Sequence, residues 1–399
     1  RIARPDETGW VRAVGYHESV AGPLDRHALD RGRGDVPVRV QHRTGALWVV
    51  NSLGLRMLGI RIPGLGPVQA EPTPRPDDDI PPGAERDARG VPTGRFFRED
   101  AWLRSRLRGA GPPDLTPVGE RLSAFGVVGV TDATPTNGMQ ELERFERAVA
   151  TGELRQRVEL MGGEELGAAS GAAPHTFKFI VDERALPEPD ELAARFARAH
   201  ASGRPVAVHC VTRAELVVTC AALETVSAWP TDRVEHAAVA PPDCVEWLAD
   251  LGVTVVTQPH FIQERGDMYL KEVDPRDQGW LYRCAGFEAN GVRVGGGTDA
   301  PYGAPDPWRA MRAAVDRRSS AGVEMGRSEA MSPERALALF TTPAADPGGA
   351  PRRVRVGDRA DLCLLRTPWR SARERLASAD VTCTIRGGRL TFDATGAPS

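Results

Sequence analysis

Six side chains stand where apolar runs of the sequence stop: Asp132, Lys178, His209, His236, His260 and Asp299. Neutral imidazoles and carboxylates are the usual ligands of zinc and similar divalent ions. His209 and His236 close two short runs, VAVH and RVEH, 27 residues apart (236 − 209). A helical pattern over 213–229 lies between them. β-branched runs of this kind read as strands buried in a parallel sheet, whose ends carry the chemistry in α/β folds. Lys178 is unusual because 51 basic residues include two lysines, Lys178 and Lys271. A protonated amine is a poor metal ligand. A neutral amine, however, adds CO2 to give a carbamate that bridges two metals as a carboxylate would, and arginine cannot. Asp299 follows Gly295-Gly296-Gly297-Thr298, where small residues let a substrate or metal approach the backbone. A carboxylate placed beside an activated water is a general base.

Each residue also has a purely structural reading. Any single histidine of the set could be a core residue, Lys178 a buried partner of Asp182 or Glu183, and Asp299 the cap of the helix after it. Asp132 reads as a turn residue. His200 falls on a helical pattern and His175 just before a strand, and both read as structural. His17 and His42 lie outside the regular repeat. The ordered set of lysine, two histidines and aspartate at successive strand ends is what points to a metal centre.

The elements that must position these groups follow a βα rhythm from 115 onward. Strand ends fall near 131, 160, 180, 209, 236, 258 and 297, seven in all. The chain is α/β, and seven units are one short of a (β/α)8 barrel. A first strand is therefore missing or hidden in 1–115, and an open doubly wound sheet is the alternative. Gly252 is a helix stop, and Ser332-Pro333 is a helix start. Residues 1–115 lack the rhythm, carry a strand-like stretch over 37–52 and a loop-rich 62–95, and read as an insertion capping the barrel. Residues 116–345 read as the barrel. Residues 346–399, with Gly387-Gly388 at a hairpin turn, read as strands of a small β-sandwich. The segment from 261 to 290 reads as a loop that shapes the substrate pocket.

A net charge of −3 gives no field for nucleic acid or anionic lipid. No apolar run reaches membrane-spanning length. Cysteines 210, 220, 244, 284, 363 and 383 show neither metal-type nor paired spacing, which fits a reducing cytoplasm. The sequence starts at Arg1, so an upstream segment is expected to lie outside it. Aromatic residues in 1–115 are natural material for a homo-oligomer interface.

RVEHA (233–237), TQPH (257–260), GGTDAP (296–301) and GDRADL (357–362) resemble motifs of the amidohydrolase superfamily, metal-dependent (β/α)8 hydrolases. So do GALWVVNS (45–52), PTGRFFRED (92–100) and the tail from MSPERALALF (331–340). The branch with N-substituted formamide deformylases is the nearest in pattern. The resemblance implies Lys178 as a carboxylated bridging lysine and His209 and His236 as ligands of the second metal. It implies Asp299 as a first-metal ligand that also moves the proton. It further implies His260 near the substrate with a catalytic role, and His42 in the pocket cap as a substrate-binding residue. The family's first barrel strand ends in His-x-His, a motif that this sequence does not contain. One or two divalent ions are thus implied, zinc foremost, two if other residues supply the missing ligands. The activity implied is hydrolysis of a non-peptide C–N bond of a small organic amide. The alternative is a barrel remnant that binds a small ligand without a complete metal centre.

Overall fold

The computed structural model describes residues 5–6, 8–18, 22–65, 80–107, 113–167 and 175–395. The chain forms two compact units, Arg1–Pro113 and Asp114–Ser399.

The first unit is a mixed sheet in the order β1-β2-β3-β5-β4. Its strands are β1 (Val11–Tyr16), β2 (Val38–His42), β3 (Leu47–Val50), β4 (Ala84–Arg86) and β5 (Pro92–Phe97). β1 and β2 run parallel, with Tyr16 opposite His42. The helix Arg26–Arg33 lies between them in sequence, capped by Asp25, whose side chain accepts from the Ala28 amide. The strand-like stretch over 37–52 is in fact a hairpin of β2 and β3. Gly45, at φ 73°, makes the turn that splits it. The loop-rich 62–95 likewise holds β4 and the start of β5, while its 66–79 portion lies outside the described residues. Trp10, Trp48, Val50, Leu55, Phe96 and Leu103 build this unit's core.

The second unit contains seven strands that follow one another in space as in sequence. β6 (Gly129–Asp132) pairs with β7 (Arg157–Leu160), and both run parallel. β8 (Phe177–Ile180), β9 (Val206–Cys210), β10 (Arg233–His236), β11 (Thr254–Thr257) and β12 (Arg293–Gly296) form a parallel sheet in that order. A single bridge, Gly162 to Phe177, connects the β7 side to β8. Among the described residues no ladder joins β6 to β12. Helices Pro189–Ala201, Arg213–Thr225 and Pro242–Leu251 intervene between strands. Their Leu192, Phe196, Leu216, Leu223, Val245 and Leu248 pack with Val206, Val208, Val234 and Val255 in one cluster. Full burial of each such side chain contributes about 1.5–3 kcal/mol, which is why the strands read as continuous apolar runs.

Local signals set the helix ends. Thr212 and Glu215 form a reciprocal capping box, and Gly252 closes its helix in the left-handed conformation. The helix expected over 213–229 stops at Thr225: Ser227 takes the left-handed conformation at φ 56°, and Asp232, accepting from the Trp229 amide at 2.7 Å, holds the turn that follows. The segment expected as a loop from 261 begins instead with the helix His260–Glu272. Gly266 weakens the helical reading of that stretch. It is needed there because a Cβ would stand 2.7 Å from the Met325 sulfur and 2.8 Å from the Ser319 Cβ.

β13 (Leu362–Leu365), β14 (Val381–Arg386) and β15 (Arg389–Asp393) form an antiparallel sheet turned at Gly387-Gly388. These C-terminal strands form one three-stranded layer, packed on the helix Thr116–Ala124. Thr384 Oγ1 donates to the Ser123 carbonyl at 2.7 Å. Among the described residues no helix is long and apolar enough to cross a membrane.

Candidate active site

The parallel register carries the histidines to one edge. His209 in β9 lies opposite Glu235 in β10, and His236 ends β10 opposite Cys210. The two imidazoles meet edge to face, with centroids 4.6 Å apart. His236 is buried, and its Nδ1 lies 2.7 Å from Gln258 Oε1. Gln258 Nε2 donates to the Val256 carbonyl at 3.2 Å, so Oε1 is the atom turned to the ring and Nδ1 is the donor. The Nε2 of His236 therefore keeps its lone pair, as in a metal-ligating histidine held by an outer partner.

Lys178 is buried in β8. Its neighbours are not Asp182, which pairs with Arg184, nor Glu183, but the charges of Glu235, Arg233 and Asp299. Burial pushes the Lys178 pKa below the usual lysine value, although Glu235 and Asp299 pull the other way. Burial alone would raise the Glu235 pKa. Arg233 and Lys178 reverse that effect and hold it below the ordinary glutamate value. Arg233 Nε and Nη2 grip the two Glu235 oxygens at 2.6 and 3.2 Å.

Asp299 follows β12 and does not cap the next helix; Asp306 does, accepting from the Trp308 amide at 2.9 Å. As a residue Asp299 is exposed. Enough protein surrounds its carboxyl that desolvation raises the pKa above the ordinary value, against the pull of His236 and Lys178. Backbone geometry sets this group apart. His236, Ala237 and Asp299 have φ values of 71°, 43° and 48°, the left-handed region that such residues rarely occupy. Strain of this kind gathers where the surrounding structure fixes a functional geometry.

His260 is the first residue of its helix and has no exposed surface. Its Nε2 donates to the Thr298 carbonyl at 3.1 Å, while Nδ1 has no hydrogen-bond partner among the described residues. Burial lowers its pKa to about 4, so the ring is neutral near pH 7. Asp132 closes a turn, accepting from Thr134 N and Asn137 Nδ2. His175 reaches the Leu160 carbonyl, and His200 stacks on Trp229 beside Asp232.

In the first unit, His42 Nε2 lies 2.9 Å from Glu18 Oε2, and its Nδ1 lies 2.8 Å from Thr44 Oγ1. Among the described residues, the one group of three His, Cys, Asp or Glu donors within 4.8 Å of each other is His17, Glu18 and His42. His209, His236 and Asp299 do not draw that close. The structure thus brings the two strand-end histidines together, with Lys178 and Asp299 as electrostatic neighbours. Gln258, Glu235 and Arg233 escaped the sequence reading, although all three sit inside or beside the RVEH and TQPH motifs.

The donor set suits a divalent ion, because two imidazoles touch and one is tied back through Nδ1. A family model described as "Amidohydrolase family" matches residues 2–392. The chain is 26% identical over 448 residues to an N-substituted formamide deformylase of Arthrobacter pascens, covering 97% of this chain and 80% of that one. Its fold is similar to that of an uncharacterized metal-dependent hydrolase from Pyrococcus furiosus, at TM-score 0.60 and 23% identity, over 87% of this chain and 76% of that one. One from Pyrococcus horikoshii OT3 gives TM-score 0.61 and 20% identity over 97% and 76%. With the family model spanning residues 2–392, nearly the whole sequence, this chain belongs to the amidohydrolase family.

Proposed function

We propose that this protein is a metal-dependent hydrolase that cleaves a non-peptide C–N bond in a small organic amide. The observation that carries this reading is the contact of His209 with His236, whose Nδ1 is held by Gln258. His209, His236, Lys178 and Asp299 are the residues that would hold one or two divalent ions, zinc foremost. When bound, such an ion polarises the carbonyl and acidifies water. The buried Lys178 amine, shifted toward its neutral form, is suited to carbamate formation. Asp299 accepts a proton from the attacking water and returns it to the departing nitrogen, so water is divided between acid and amine products. His260, neutral, holds the Thr298 carbonyl and thereby the backbone that presents Asp299.

We read β6 to β12 as strands two to eight of a (β/α)8 barrel, supported by two parallel sheets in sequence order that one parallel bridge, Gly162 to Phe177, links. One observation favours a second reading, a pocket that binds a small ligand without a complete metal centre: His209, His236 and Asp299 do not form a three-donor cluster. The test is hydrolysis of an N-substituted formamide by the zinc-loaded full chain and its Asp299→Asn variant. The variant should lose at least about 100-fold in kcat. Unchanged turnover would sink the proton role of Asp299, and no turnover by either protein would favour the second reading.

A further inference from the structure

β1 and β2 run parallel and stop side by side, so the residues that leave them share one edge of the sheet. Those residues are His17 and Glu18 after β1, and His42 at the end of β2. Their donor atoms all lie within 4.8 Å of one another. His42 Nε2 touches Glu18 Oε2 at 2.9 Å, and His17 Nε2 stands 4.0 Å from the same oxygen. The imidazole rings are 5.6 Å apart. A tetrahedral ion with ligands at 2.0–2.1 Å sets its donors about 3.4 Å apart, so the three groups span the required separation from either side.

A hydrogen bond alone explains His42 and Glu18. It does not explain why a second imidazole stands over the same carboxylate oxygen. The outer partner is also in place. Thr44 Oγ1 lies 2.8 Å from His42 Nδ1 and the Thr44 amide donates to that nitrogen at 3.2 Å. Without an ion, Nε2–H donates to Glu18 and Nδ1 accepts from Thr44. With an ion at Nε2 the proton moves to Nδ1, the hydroxyl, which can donate or accept, now accepts it, and the Thr44 amide gives up its 3.2 Å bond to that nitrogen. Side-chain exposures of 27%, 38% and 11% for His17, Glu18 and His42 leave the cluster reachable yet shielded.

We propose that His17, Glu18 and His42 form a divalent-metal site in the 1–113 unit, with ligands separate from the His209–His236 pair. Two imidazoles and a carboxylate select borderline ions such as zinc or cobalt over calcium or magnesium. The site fastens the exit of β1 to the end of β2.

The test uses the full chain, stripped with a chelator, reloaded with Zn2+ and dialysed, with metal content read by plasma mass spectrometry. His17→Gln/His42→Gln should hold about one equivalent less than wild type. His209→Ala/His236→Ala should retain that equivalent, and its Co2+ form should keep visible absorption bands that vanish when His17→Gln and His42→Gln are added to it. Equal metal content in wild type and His17→Gln/His42→Gln would overturn the site. If circular dichroism shows the double variant unfolded, Glu18→Gln carries the test. Zn2+ titration should then show at least about a tenfold loss of affinity, and an unchanged titration overturns the site. Because hydrolysis is not the readout, this result stands apart from the proposed activity.

Discussion

A histidine sealed from water keeps its neutral form at a cost that changes with pH, and His260 is such a residue. Its pKa, lowered to about 4 by burial from the ordinary 6.5, lies below that of the same residue in the unfolded chain. Below pH 6.5 the unfolded chain therefore takes up a proton that the folded chain refuses. Stability from this residue is complete above pH 6.5 and declines as pH falls toward 4, by about 3 kcal/mol in all. Urea unfolding at pH 7.5 and 4.5 should show wild type losing about 2–3 kcal/mol more than His260→Asn over that interval. Equal losses would mean that water reaches the ring. At this scale residue type and spacing put Lys178, His209, His236 and Asp299 at strand ends; His209 and His236 do lie there, whereas Lys178 is the second residue of β8 and Asp299 stands three residues past β12. The partners that tune them are not legible in the sequence. Gln258 meets His236 across 22 positions of chain, and Lys178 meets Glu235 across a strand between. Such contacts depend on register, which the sequence of a single strand does not disclose.

Between strand and helix, the short connections carry the unusual backbone. The left-handed residues at the ends of β10 and after β12 cost about 1–3 kcal/mol each, and packing around them holds them there. Gly303 is one such support. A Cβ on it would stand 2.4 Å from both His260 Nε2 and the Thr298 carbonyl, and 2.7 Å from the Phe261 ring. Gly303→Ala should therefore part the helix His260–Glu272 from the loop that presents Asp299. The expected loss is about 1–3 kcal/mol of stability, checked by thermal unfolding, together with a lower kcat. A variant as stable as wild type would show that this loop is free to yield. That helix was hidden from sequence by Gly266 and by its polar residues, whereas the helices ending at Gly252 and starting at Ser332 declared themselves. Likewise, the parallel pairing of β1 with β2 was invisible, since the residues between them gave no periodic signal.

At the level of the whole molecule, each unit has its own apolar core: Trp10, Trp48, Phe96 and their neighbours in one, the strand–helix cluster around Val208, Leu216 and Val255 in the other. A domain with its own core can fold alone. Residues 114–399 expressed separately should give a single cooperative calorimetric transition, and a broad, non-cooperative melt would show that the first unit is required. The near-absence of lysine has a practical consequence. Lys178 is sealed inside β8, while Lys271 is exposed near the end of its helix. Amine-reactive reagents applied to the folded protein thus meet one lysine side chain at the surface. A fluorophore or a solid support coupled through a lysine side chain therefore attaches at Lys271, without any engineered residue.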